Sequence, residues 1–210
     1  PMITLPEGYR IGKYTVKYFI KEGLYNCTYK IEDENGTPLF MKLYDINLVP
    51  DKLVDNGDIA EIASCRRIHH ENVISHLDDG FVIIEGNEYH YLVTRYFIGQ
   101  LLSEIINAGK VFTEETAKNI TMQILNGLHY LHMECGLNHN DLTPRNIILE
   151  ESESGRFIPR IIDLGHVYRP VSSCAPFPVN DLTLNYLAPE ALAGMFGSKV
   201  DGFAAMTIMY

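Results

Sequence analysis

Residues 137–149 read LNHNDLTPRNIIL, with His139, Asp141 and Asn146 set in an apolar frame. Asp and Asn side chains hydrogen-bond nearby backbone and Pro144 fixes one φ, so the stretch reads as a tight loop between two buried elements. The spacing brings the Asp141 carboxylate and the Asn146 amide to one loop, which the flanking apolar residues pin to a core. An Asx-rich turn with no chemistry would use the same residue types. The surroundings of the loop decide between the two.

Downstream, NIILEESES and RFIPRIIDLG are short apolar runs around a polar turn, and the second ends on Asp163-Leu164-Gly165. From His166 to Thr183 the chain carries Pro and Ser with little periodicity and reads as a loop. After Ala188-Pro189-Glu190 the apolar run DGFAAMTIMY reads as a helix. Upstream, TEETAKNITMQILNGLHYLHM places Ala117, Ile120, Ile124, Leu128 and Leu131 on one helical stripe, and Thr113 with Glu115 and Thr116 supplies a start signal.

The first half has another period. YTVKYFIKEG, NCTYKIED and PLFMKLYD read as three strands, the last two joined by Glu34-Asn35-Gly36-Thr37, and Asn-Gly between alternating runs is a strong hairpin signal. In DNGDIAEIASCRRI, Ile59, Ile62, Cys65 and Ile68 are spaced for one helical face, after an Asp/Asn-rich start expected to cap it. NVISHLDDGFVIIEG and NEYHYLVTRYFIG, separated by Gly86-Asn87, read as a further antiparallel pair. A small sheet with one helix is complete by about Phe97.

Composition sets the outer bounds. A chain of 210 residues that is 46% hydrophobic and 21% charged suits one large domain or two small lobes. A net charge of −10 argues against a nucleic-acid-binding face and against docking on anionic lipid. Cys27, Cys65, Cys135 and Cys174 are too scattered for a metal or redox motif and read as reduced thiols of a cytoplasmic protein. No apolar run approaches the ~20 residues that cross a bilayer. PMITLPEGYR lacks a signal-peptide pattern, and Pro1 before Met2 looks like a protease-site scar.

From about Tyr14 to Tyr210 this order of motifs resembles the eukaryotic-type protein kinase family. The resemblance implies an α+β, two-lobed protein-kinase-like fold: a small antiparallel-sheet N-lobe with one helix over residues 10–97, and a mainly helical C-lobe over 98–210, incomplete at Tyr210. A longer native chain is therefore expected. The implied cofactors are ATP and Mg2+, and the implied partner is a protein substrate, with no nucleic acid or membrane. Asp141 matches the base that accepts the substrate hydroxyl's proton, and Asn146 and Asp163 match the magnesium ligands. Lys42 and Glu61 match the pair that orients the ATP phosphates. Gly23, Phe40, Thr94, Arg95, Phe97 and Ile148 fall at nucleotide-binding positions, with Tyr25 and Tyr96 near them. Asp201 matches the helix residue that anchors the catalytic loop. Thr183-Leu184-Asn185-Tyr186-Leu187-Ala188-Pro189-Glu190 resembles the segment that receives the substrate peptide, and Thr183 stands where Ser/Thr-directed members carry threonine.

The sequence also departs from the family. Of three expected glycines in IKEGLYNCT only Gly23 remains, which implies weaker cradling of phosphates by backbone amides. Phe40 replaces a small alanine, and strand periodicity points it to the same face as Lys42, where it narrows or blocks the adenine site unless the strand shifts, with Thr28 and Thr94 giving room. Asn140 replaces the arginine that pairs with a phosphorylated activation loop, so phosphorylation of Ser172, Ser173 or Thr183 loses its usual cationic partner. Thr143 replaces a lysine that contacts the transferred phosphate, and Arg145 falls where tyrosine-directed members place an arginine for that task. The buried glutamate matching Glu190 would lack its arginine partner. The leading expectation is an ATP-dependent protein kinase acting on Ser/Thr hydroxyls. The alternative is a pseudokinase scaffold with an occluded nucleotide site; a small-molecule kinase is disfavoured by Thr183 and Ala188-Pro189-Glu190.

Overall fold

The computed structural model describes residues 2–167, 185–192 and 195–210, so Ser172, Ser173, Cys174 and Thr183 lie outside the described residues. The chain divides into two compact units, Pro1–Arg67 with Ser75–Tyr96, and Ile68–Ile74 with Phe97–Tyr210.

In the first unit, alternation of apolar and polar residues yields strands β1 (Arg10–Ile11), β2 (Tyr14–Glu22), β3 (Asn26–Glu32) and β4 (Pro38–Asp45). After the short strands β5 (Val54–Asp55) and β6 (Asp58–Ile59) come helix α1 (Ala60–Cys65), β7 (His76–Ile84) and β8 (Asn87–Arg95). The main sheet is antiparallel in the order β1-β2-β3-β4-β8-β7. One face of β4 sends Leu39, Met41 and Leu43 into a core shared with Val16, Tyr29, Ile31 and Val93. Full burial of such side chains contributes roughly 1.5–3 kcal/mol each. Phe40, Lys42 and Tyr44 occupy the opposite face by the period of two. The leading segment joins this core: Leu5 is buried, its N–H donates to the Tyr29 hydroxyl, and that hydroxyl donates to the Ile3 carbonyl.

Two turns differ from the sequence reading. The Asp/Asn-rich stretch before α1 does not cap it; Val54 pairs with Ile59 and Asp55 with Asp58, and Asn56 and Gly57 take φ of 52° and 81°. Asn-Gly with both φ values positive is the turn that matches strand twist, and it outcompetes capping here. Helix α1 consequently starts only at Ala60, with Ile59 as an N-cap without a side-chain hydrogen bond. Likewise Glu85 and Gly86, not Gly86 and Asn87, form the β7–β8 turn, and Asn87 pairs with Ile84.

The second unit opens with β9 (Gly99–Leu101) and α2 (Leu102–Asn107), followed by α3 (Glu114–Met133). Thr113 caps α3 by accepting from the Thr116 N–H, and Ile120, Ile124, Leu128 and Leu131 form its buried stripe. Strands β10 (Ile147–Glu151) and β11 (Phe157–Ile161) pair antiparallel, with β9 on the far side of β10. Helices α4 (Pro189–Leu192) and α5 (Ser198–Met209) complete the described residues. Glu190 is half-buried. Residues 68–74, which the sequence reading groups with the first lobe, hydrogen-bond to β11: Ile161 N–H donates to the Asn72 carbonyl at 2.7 Å and Ile74 N–H to the Ile161 carbonyl at 2.8 Å. The Asn72 amide adds a bond to the Pro159 carbonyl.

His70 sits in that segment, its Nδ1 accepting the Asn72 N–H and its ring tilted on Tyr130. Burial disfavours the imidazolium and lowers His70 below its ordinary value of 6.5. The unfolded chain thus binds more protons as the solution acidifies; the stabilisation is present above pH about 6.5 and is lost as pH falls through the lower folded value. Urea unfolding between pH about 7 and 5 should show stability falling with acidification, and His70→Gln should flatten that part of the profile.

Candidate active site

In the first unit, β4 and α1 meet at a buried carboxylate. Lys42 Nζ lies 2.6 Å from Glu61 Oε1, and the Tyr44 hydroxyl donates to Glu61 Oε2 at 2.6 Å. Glu61 is 7% exposed and Lys42 only 15%, so the pair is shielded from the screening that weakens surface ion pairs. Past the end of α1, Arg66 bonds Asp79 of β7 and Asp58 of β6. The guanidinium of Arg66 holds the Asp79 carboxyl below the usual carboxylate range.

The other implied nucleotide-binding residues of this unit lie along β2, β3, β4 and β8. Gly23 is exposed just after β2, and its N–H donates to the Asn26 carbonyl at 2.7 Å, closing the turn into β3. Thr28 is the cross-strand partner of Lys42, and Thr94 that of Phe40. Thr94 is buried and Arg95 exposed. The Phe40 ring packs on Tyr96 with centroids 4.8 Å apart, and Lys30 Nζ stands 4.8 Å over the Tyr96 ring.

In the second unit, the loop of residues 137–149 is held from several sides. Asp201 on α5, 1% exposed, accepts the backbone N–H of His139 at 2.7 Å and of Asn140 at 2.8 Å, and His132 of α3 bonds the same carboxylate. His139 Nδ1 accepts the Asp141 N–H while its Nε2 donates to the Ile162 carbonyl, which fixes the ring's tautomer. Pro144 begins a 3-10 turn, Pro144–Asn146, and the Asn146 amide donates to the Asp141 carbonyl at 2.8 Å and to Asp141 Oδ2 at 3.1 Å. The Ile162 N–H donates to the Asn146 carbonyl, so Asp163 follows directly on a bond to the loop.

Asn140 and Asp163 both take left-handed φ, 64° and 65°. Asn and Asp tolerate that region better than other non-glycine residues, a local reason for these types at these places. Arg145 is exposed, whereas Ile148 and Phe97 are buried, the Phe97 ring lying under the Arg160 guanidinium. Sequence reasoning missed two neighbours. His166 Nδ1 stands 3.4 Å from Asp141 Oδ2, and the His166 carbonyl accepts from the Asn140 amide. Tyr44 was legible in principle, being two residues from Lys42 on one strand face; nothing local in the sequence marks His166.

The donor chemistry suits Mg2+ in part and a nucleotide in part. No group of three or more His, Cys, Asp or Glu among the described residues is arranged to hold a metal ion by itself, but Mg2+ needs only one or two protein oxygens besides phosphate and water, and Asn146 and Asp163 carry such oxygens. Thr28 Oγ1, across from Lys42, is buried without a hydrogen-bond partner among the described residues and would gain one from a polar ligand. Phe40 fits less well, since an aromatic ring stands where the resemblance implies a methyl group.

Comparison with known sequences identifies the family. The chain matches the protein kinase domain family over residues 14–210. It is 27% identical over 212 aligned positions to the serine/threonine-protein kinase GL21140 of Drosophila persimilis, covering 98% of this chain and 26% of that protein. It is 31% identical over 153 positions to calcium-dependent protein kinase 4 of Plasmodium falciparum, covering 72% of this chain and 28% of the relative. For the serine/threonine-protein kinase MAK of Mus musculus the values are 30% over 154 positions, 72% and 23%. The chain thus spans about a quarter of the length of these relatives.

Replacing Asp201 by Ala would leave two buried backbone N–H groups and His132 without their acceptor. Urea unfolding should show a loss of about 3 kcal/mol or more, since each buried donor so stranded costs roughly 1–3 kcal/mol.

Proposed function

From the premise that the chain belongs to the protein kinase domain family, we propose that it transfers the γ-phosphoryl group of ATP to a serine or threonine hydroxyl of a protein substrate. The observation that carries this reading is the loop at Asp141: a carboxylate one-quarter exposed, oriented by Asn146 at 3.1 Å, on a backbone anchored by Asp201. A base so placed is open to a hydroxyl yet fixed in direction.

Each polar group then has a role. Asp141 accepts the proton of the attacking hydroxyl. Lys42, held by Glu61, presents a fixed positive charge to the phosphates of the donor, where a mobile lysine would first have to be ordered. Asn146 and Asp163 would hold Mg2+, which would supply positive charge to offset the charge developing on the phosphate. Arg145 supplies an exposed guanidinium to steady the transferred group, taking over from the lysine that Thr143 replaces. Gly23, Thr94, Arg95, Phe97 and Ile148 would contact the nucleotide. The serine/threonine preference leans on Thr183 and on the names of the relatives. A cytoplasmic site of action agrees with Cys27, Cys65 and Cys135 standing outside any disulfide among the described residues, and the net charge of −10 disfavours nucleic acid and anionic membranes as partners.

The tilted packing of Phe40 against Tyr96 favours a second reading, a pseudokinase whose nucleotide site is closed. Thermal unfolding with and without Mg-ATP separates the two. An active kinase should gain about 2.7 kcal/mol at a hundredfold excess over Kd, and Asp141→Asn should abolish phosphoryl transfer while leaving that shift. Stabilisation confined to Phe40→Ala would establish the second reading instead.

A further inference from the structure

Tyr44 has no part in the roles above, yet it closes the coordination of Glu61. Lys42 and Tyr44 project from the same face of β4, and each takes one oxygen of the same carboxylate at 2.6 Å. Tyr44 is buried and Glu61 is 7% exposed. A carboxylate so far removed from water is stable in place only when its oxygens meet donors, because each one left unmet loses its hydration without replacement.

The backbone around Glu61 gives it little support. Helix α1 has six residues and no side-chain N-cap, far below the length at which a helix holds itself. Side-chain contacts therefore decide where Glu61 sits. Past one end of α1, Arg66 ties the chain to Asp58 and Asp79. Within the first turn, Glu61 is met by Lys42 and Tyr44.

We propose that Tyr44 is a positioning residue: its hydroxyl holds Glu61 against Lys42, so that the ion pair forms in this chain without a nucleotide, a phosphorylated loop or a partner to draw it together. Its consequence for nucleotide handling rests on the kinase reading above. The arrangement agrees with Asn140, a neutral amide that already bonds the His166 carbonyl and brings no guanidinium for a phosphate to recruit.

Tyr44→Phe removes the hydroxyl and keeps the ring. Without nucleotide, the test is the alkylation rate of Cys65, read by mass spectrometry of its peptide. Cys65 lies on α1, is 1% exposed and has its thiol pushed up to about 12 by burial, so it labels only when α1 loosens. Labelling should be about five-fold faster in Tyr44→Phe, and Tyr44→Phe should add nothing in a Glu61→Ala background. With nucleotide, KM for Mg-ATP should rise about five-fold in Tyr44→Phe with kcat within about two-fold, using myelin basic protein as acceptor. Acceleration of equal size with and without Glu61 would make the hydroxyl a packing element and overturn the proposal, as would unchanged labelling in Tyr44→Phe. Failure of the wild-type chain to bind or turn over Mg-ATP would instead defeat the kinase reading, and the labelling cycle would still decide the role of Tyr44.

Discussion

The carboxylate of Asp201 is the constraint on which the second unit turns. An aspartate 1% exposed is tolerated only if its charge is met by donors, and here they are the N–H groups of His139 and Asn140 together with His132. Those two N–H groups belong to the loop that carries Asp141, so the bonds that offset the cost of burying one charge also fix the backbone beside Asp141. Directly after this grip Asn140 takes a left-handed φ of 64°. Asparagine takes that conformation with little strain.

The first unit repeats this logic with another acid. Glu61 is buried, and its two oxygens are met by Lys42 and Tyr44 from one strand. In both units a buried carboxylate converts packing into orientation: around Asp201 it orients a loop, around Glu61 a helix too short to hold itself. Neither acid needs to touch a reactant to set the geometry of a residue proposed to do so.

Phe40 and Asn140 are two positions where the chain departs from the pattern that the resemblance implies, and they differ in kind. Asn140 has a local compensation, a hydrogen bond from its amide to the His166 carbonyl, although its Oδ1 stays buried without a partner among the described residues. Phe40 is compensated by contact with Tyr96 and, through that ring, with Lys30. An aromatic pair of this sort contributes packing that a methyl group at this position would not. The same pair is what makes nucleotide entry the decisive question for function.

Short-range pattern carried much of the fold. Alternation along residues 14–45 and 76–95, the stripe on α3 and the Thr113 cap are local features, and local features are legible because they need no partner distant in the chain. The reading slipped where two local rules competed, as in Asp55-Asn56-Gly57-Asp58, where hairpin formation with Val54 and Ile59 displaced the helix cap. Lys42, Glu61, Asp141, Asn146 and Asp163 were singled out through the family resemblance, because a motif fixes residue types along the chain. What spacing could not supply is who meets whom across it: Tyr44 on Glu61, His166 beside Asp141, residues 68–74 on β11. Those contacts are decided by the need to satisfy buried polar groups once the elements have packed, and that need exists only in the tertiary structure.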